Sequence, residues 1–484
     1  MKAPTQQSDL AQDGKPGAFS RRGFIKAAAG GLAALVVGRA IPGISDNPAY
    51  GAVAVQSLTF RITDAIKEMV THNAVNNATC YFWLFKEDRF EAEVPGPNVF
   101  TTQGEVINIS ITNELDEPHA FFIPGMFDSG PIAPGGTFSG SFTATQAGTF
   151  LYEDNLNPPV NRVMGLHGAF IVMPRAPIGT HKFTPYALPT AEVQQLFDDL
   201  GTAHFPGLSW QDADPATHTL PFRQHIWLLH EASPVLFEEV GRLGNGNIFD
   251  AATFVQRFRN DPFIATGTGG ITAFNALPQY FTIAGQSGHF VHHNPLITPW
   301  HRVGEPSIIR ILNAGLWTHS LHIHANHVYL LSFNGAVQKN AIWVDTFTAN
   351  PGDVFDWLLP MIRPPEVPNT RGIGLADPPL ISRAGLPVWP PVEELGLFFP
   401  PVGTIVGGVD LAVQLSPLCF PMHDHTEATQ TAQGGNYTVG MISGLNFTGD
   451  RNTAGGVTTF PGAEFAVAFG ITGPAAEMQE GHPI

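Results

Sequence analysis

The chain reads as short stretches of alternating apolar and polar residues broken by turns. In Glu105-Val106-Ile107-Asn108-Ile109-Ser110-Ile111-Thr112-Asn113, isoleucine recurs at every second position. That is the period of a half-buried β-strand. Ser307-Ile308-Ile309-Arg310-Ile311-Leu312-Asn313 repeats the pattern further along. Pro95-Gly96-Pro97, Pro124-Gly125, Gly130-Pro131 and Pro134-Gly135-Gly136 punctuate the first of these regions as turns. One helix is predicted after Thr190, with Thr190 as N-cap, Glu192 in the first turn and Gly201 as the stop. Its capping box is incomplete, because Val193 stands where Glu or Gln is wanted.

These elements divide the chain. Residues 55–174 have the length of one β-sandwich. Residues 175–221 form a wrapping linker that holds the helix, and a second β region spans 222–450. Ten prolines fall between Met361 and Pro401, so 361–401 is an insertion and not central strand. A Gly-rich tail, 451–484, follows. The expected class is all-β, with two sandwich domains.

Composition supports this class. Gly (51) and Pro (42) make up about a fifth of 484 residues, and charged residues are only 13%. Such a chain is neither a coiled coil nor a long-helix bundle. The net charge of −17 argues against nucleic acid and anionic membranes as partners. Two cysteines, Cys80 and Cys419, are too few for a disulfide scaffold or a Cys-based metal domain. They leave one disulfide open as a possibility outside the cytoplasm.

Near the start, Ser20-Arg21-Arg22-Gly23-Phe24-Ile25-Lys26 precedes an apolar run from Ala27 to Val37. This run is too short for a stable membrane span, which needs about 20 residues. Paired arginines before a weakly apolar stretch resemble a twin-arginine export signal, assigned to 1–54 and implying a periplasmic or otherwise exported protein. Cleavage is expected after Ala40 or Ala54. Residues 1–54 carry six bases and three acids, so the remainder is about −20.

The chemistry concentrates in histidines. Six of the 19 sit in two clusters, His319-Ser320-Leu321-His322-Ile323-His324-Ala325-Asn326-His327 and His423-Asp424-His425. In a strand, residues i and i+2 share a face, roughly 6.5–7 Å apart. His322 and His324 therefore share one face, and His423 and His425 share a face of another strand. Two such pairs on neighbouring strands can converge on a metal ion, and neutral imidazole suits Cu, Zn, Fe and Ni.

Ordered blocks then bring a family into view. Asn313-Ala314-Gly315 followed by His319-x-x-His322-x-His324 resembles the copper-binding block of multicopper oxidases. Upstream, Pro95-Gly96-Pro97, Glu117-Pro118-His119, Asp128-Ser129-Gly130-Pro131, Gly148-Thr149-Phe150-Leu151-Tyr152 and Gly165-Leu166-His167-Gly168 resemble that family's first domain, in order. Tyr280 to Gly285 and Pro351-Gly352-Asp353 extend the likeness. The resemblance covers roughly 80–450. It implies two cupredoxin-like Greek-key sandwiches and copper as the cofactor.

The ligand pattern departs from the family in several places. The first-domain His-x-His is His119-Ala120-Phe121, and the next pair, after Tyr152, is Glu153-Asp154-Asn155. The family's His-Cys-His is His423-Asp424-His425, so Asp424 replaces the cysteine of the mononuclear (type 1) site. Cys419 has the wrong strand parity to substitute for it, and Met441 near the axial position makes no blue-copper site by itself. The metal ligands implied are His119, His322, His324, His423 and His425, with Glu153 as an added carboxylate. His319 is left orphaned, while His167 and His327 read as structural. Asp424 and the polar run Thr429-Gln430-Thr431 are candidates to orient a neighbouring imidazole.

The expected function is an exported copper-dependent oxidoreductase without type 1 copper, acting on a small-molecule substrate or oxygen. The alternatives are a periplasmic copper-binding protein without turnover and a degenerate structural or interaction module. Two-domain members of the family often form trimers, and the resemblance implies a homo-oligomer of that kind.

Overall fold

A computed structural model describes residues 55–69, 78–88, 92–199, 222–244, 246–259, 280–286, 291, 297–301, 306–324, 326–361, 418–426, 429 and 440–447, together with short ladders at 368–369, 372–373, 380–381, 387–389, 405–406 and 409–410. The proposed export signal, the C-terminal tail and most of the Pro-rich insertion lie outside the described residues.

Strands are numbered along the chain. The first sandwich pairs a four-stranded sheet with a five-stranded one. The four-stranded sheet holds β1 (Val55–Met69), β2 (Ala78–Glu87), β4 (Val106–Asn113) and β7 (Thr137–Thr143), in the order β2-β1-β4-β7. The other holds β3 (Val99–Thr102), β5 (Phe122–Ile123), β6 (Phe127–Asp128), β8 (Gly148–Glu153) and β9 (His167–Met173), in the order β3-β9-β8-β5-β6. The alternation in β4 is as expected: Ile107, Ile109 and Ile111 are buried in the core between these sheets.

The second sandwich repeats the plan. Its six-stranded sheet runs β11-β10-β13-β18-β15-β16, with β10 (Arg223–Ala232), β11 (Tyr280–Ile283), β13 (Ser307–Asn313), β15 (Val328–Phe333), β16 (Ala336–Val344) and β18 (Val354–Leu359). The facing sheet runs β12-β26-β25-β14-β17, with β12 (Trp300–His301), β14 (His319–Ile323), β17 (Thr346–Ala349), β25 (Leu418–Asp424) and β26 (Ile442–Phe447). The short ladders of the insertion and the segment after it, β19 (Pro368–Asn369) to β24 (Val409–Asp410), form three separate two-stranded pairs.

The two sandwiches stack into four layers with three apolar fillings. The outer face of β8 and β9 (Leu151, Ala169, Ile171) packs on Ile308, Leu312 and Leu358 of the six-stranded sheet. This explains why β13 is buried at every position, although its sequence alternates like that of a half-exposed strand. Ile308 and Leu312 face the first sandwich, and Ile309 and Ile311 face the second sandwich's own core. The linker helix, Ala191–Asp199, closes the edge of the middle layer with Val193, Leu196 and Phe197. Thr190 Oγ1 accepts from the Val193 N–H at 3.4 Å, the predicted cap. A further helix, Pro234–Gly241, packs Leu236 and Phe237 into the first core.

Candidate metal centre

β14 and β25 are antiparallel neighbours, with His322 directly opposite His423 and Leu321 opposite Asp424. Opposed residues share a face, so the period of two sorts the cluster. Leu321, Ile323 and Met422 point into the core. His322 and His423 point to the outer face of the sheet. His324 and His425 continue the same faces just past the paired segment. The ring centroids of His322 lie 4.9 Å from His324, 5.4 Å from His423 and 4.8 Å from His425. Those of His423 lie 5.0 Å from His324 and 4.9 Å from His425.

The donor atoms converge. Ligand nitrogens of His322, His324 and His423 all lie within 4.8 Å of one another. His324 Nε2 and His423 Nε2 are 2.9 Å apart. Backbone carbonyls set the tautomers: His322 Nδ1 donates to Asp345 O at 3.0 Å, and His423 Nδ1 donates to Asp424 O at 3.1 Å. Each bond leaves Nε2 as the nitrogen turned toward the cluster, the usual support for a metal-binding imidazole. Burial, joined for His324 by its histidine neighbours, pushes the pKa of His322 and His324 below the ordinary histidine value, which favours the neutral, ligating form. This donor set fits a copper or zinc class ion.

His119 and Glu153 are not in this group. His119 lies wholly buried in the first sandwich, its Nδ1 donating to Asp154 Oδ2 at 2.6 Å and its ring 5.1 Å from Trp83. Its Nε2 is buried without a partner among the described residues. Glu153 pairs with Arg162 at 3.1 Å, and Arg162 Nε donates to Ala314 O at 3.0 Å, which ties the two sandwiches together.

The expectation that His319 is orphaned is corrected. His319 is fully buried and held on both nitrogens. Nδ1 donates to Asp424 Oδ2 at 2.6 Å and Nε2 donates to Glu231 Oε1 at 2.7 Å. Burial alone would lower its pKa, but the two carboxylates outweigh burial and raise it to about 9. At neutral pH an imidazolium therefore lies between two carboxylates. Asp424 is likewise held below the usual carboxylate range, against the pull of burial, chiefly by His319. Thr429 Oγ1 also donates to Asp424, and Met441 N donates to Thr429 O at 2.7 Å. At the place where the resemblance puts a type 1 copper, no thiolate lies among Asp424, Thr429 and His319, and both imidazole nitrogens of His319 are used. That copper does not fit here.

The sequence reading missed Glu231. The signal was a carboxylate ending the apolar run Ile226-Trp227-Leu228-Leu229-His230-Glu231. Cys80 is buried as a free thiol, and the side chain of Cys419 lies outside what the structure describes. His167 donates from Nδ1 to Arg162 O at 2.7 Å and lies 4.6 Å from His230, whose Nε2 donates to Val163 O. His327 stacks on Trp343.

The two sandwiches share one local device. Asn113 Nδ2 donates to Glu117 O and Ile132 O, and Asn113 Oδ1 accepts from Leu115 N. Asn313 does the same with Trp317 O, Ala349 O and Gly315 N. In each case a histidine follows six residues later, His119 or His319, and bonds an aspartate through Nδ1 at 2.6 Å.

Two stacked sandwiches, with a histidine cluster on one sheet, define a cupredoxin-like fold. Residues 89–177 match the family model described as multicopper oxidase, so the resemblance read from the sequence is borne out. Over those residues the chain is similar to multicopper oxidases. No curated protein matches it. Among solved structures, the blue copper oxidase from Nitrosomonas europaea is 17% identical over 81% of this chain and 86% of that one, with TM-score 0.46. The multicopper oxidase mgLAC is 16% identical over 81% and 86%, at 0.47. The copper nitrite reductase from Nitrosomonas europaea is 17% identical over 81% and 94%, at 0.44.

Proposed function

We propose that this protein is an exported copper-dependent oxidoreductase whose metal is held by His322, His324, His423 and His425, with no type 1 copper. The observation that carries the reading is the convergence of three histidine nitrogens within 4.8 Å on two paired strands. Bound copper supplies one-electron exchange and an open position for a small ligand. The chain's own residues do the rest. Asp345 O and Asp424 O hold the two imidazole N–H groups, so Nε2 of His322 and His423 faces outward. The exposed His425 marks the side from which a small substrate or oxygen enters. Without a cysteine to carry electrons in from a distance, substrate and oxidant meet at this one centre.

Metal analysis and an absorption spectrum of the exported protein test the reading. The expected result is bound copper, lost in His322→Ala and His423→Ala, with no intense blue thiolate band and little oxidation of bulky phenols. Copper retained in both variants, or a strong blue band, overturns it. Tight copper binding without oxygen consumption would move the function to copper storage or delivery.

A further inference from the structure

We propose that Glu231, reaching across the second sandwich to His319, is a positioning residue for the histidine centre: the Glu231–His319–Asp424 triad sets the relative placement of the two His-x-His strands. The inference rests on the metal-binding reading above and adds how that site is built.

Asp424 sits between His423 and His425 but points the other way, into the core. Its carboxylate accepts from four groups: His319 Nδ1 (2.6 Å), Ser320 N (2.7 Å), Thr426 N (3.0 Å) and Thr429 Oγ1. Two of these belong to β14 and two to the turn after β25. Asp424 therefore fixes the end of one ligand strand against the start of the other. His425 N adds a bond to Ser320 O at 2.8 Å. His319 is held in turn by Glu231, which comes from β10 in the opposite sheet and also accepts from Leu316 N at 2.8 Å. Three side chains thus join three segments immediately behind the ligands. A site made from two strands is only as good as their mutual placement, and such supporting contacts commonly govern metal affinity.

The first sandwich supplies an internal comparison. There Glu153 and Asn155 flank Asp154 as His423 and His425 flank Asp424. His119 bonds Asp154, but its Nε2 has no partner among the described residues. Among the described residues, a second carboxylate on the histidine is present only in the sandwich that carries the histidine cluster.

Gly315 offers a way to move Glu231 without changing its charge. A methyl group on Gly315 would sit 2.1 Å from Glu231 Oε2, the far end of a flexible side chain, so the carboxylate must shift. The experiment is copper titration with EPR spectroscopy, well below the melting temperature, on the wild type, Glu231→Gln, Gly315→Ala, His322→Ala and Asp154→Asn. Glu231→Gln and Gly315→Ala are expected to weaken copper binding about 10- to 100-fold and change the nitrogen hyperfine pattern. Asp154→Asn, in the first sandwich, is expected to bind copper as the wild type does. Wild-type affinity and spectrum in both Glu231→Gln and Gly315→Ala, whatever their melting temperatures, would overturn the positioning role while leaving the metal site intact. A wild type that binds no copper, or a His322→Ala variant that binds it unchanged, would instead remove the metal reading itself.

Discussion

One side chain organises the buried centre of the second sandwich. Asp424 stands between two histidines of the cluster but faces the core, where its carboxylate meets a buried imidazole. It pairs with the imidazolium of His319, which Glu231 balances from the opposite side. The pKa of His319 rises from 6.5 to about 9, so its stabilising contribution is complete below pH 6.5 and is lost as pH rises through 9. Denaturant unfolding of the wild type and His319→Gln across pH 7–10 should show the wild-type advantage shrinking, by an amount of the order of 3 kcal/mol. A difference that stays constant with pH would mean that His319 is not charged in the folded protein.

Strands act through parity and close approach. On β14 and β25 the period of two sends histidines outward and the His319–Asp424 pair inward, so one ladder builds a histidine cluster and a buried ion triad at once. On β9 the limit is space. Gly168 lies under the ring of Tyr152, which is fully buried and donates to Pro97 O at 2.8 Å. A Cβ at 168 would come within 2.2 Å of the Tyr152 hydroxyl and 2.3 Å of its ring. Gly168→Ala should therefore cost about 1–3 kcal/mol, read as a lower denaturation midpoint with an unchanged slope.

The whole molecule is held as a stack by its middle layer, which carries a buried polar knot within apolar packing. Arg310 is fully buried, and its Nη1 donates to Thr149 Oγ1 of the first sandwich at 2.7 Å and lies 3.4 Å from Asp356 Oδ2. Asp356 also accepts from Tyr186 of the linker at 2.7 Å and from Thr149 at 2.6 Å. Both sandwiches and the linker meet at this carboxylate. Breaking one side of such a pair leaves an uncompensated buried charge. Arg310→Met is expected to lose about 3 kcal/mol in equilibrium unfolding. A loss below about 1 kcal/mol would show that the hydroxyl groups alone satisfy Asp356.

The sequence by itself determined what is local. The β class, the alternation of Ile107, Ile109 and Ile111, the Thr190 cap, and the common face of His322 with His324 and of His423 with His425 follow from chain periodicity and from turn and cap preferences, which need no distant partner. Tertiary structure alone decided which of these groups meet. It brought the two histidine pairs together on adjacent strands and left His119 enclosed in the other sandwich with Asp154. It buried both faces of β13 by stacking a second sandwich against it. It also carried Glu231 across the core to His319, 88 residues away along the chain, turning an expected orphan into a charged centrepiece. These outcomes depend on which sheet faces which. That is set by the packing of whole layers, and no residue's immediate neighbours in the chain encode it.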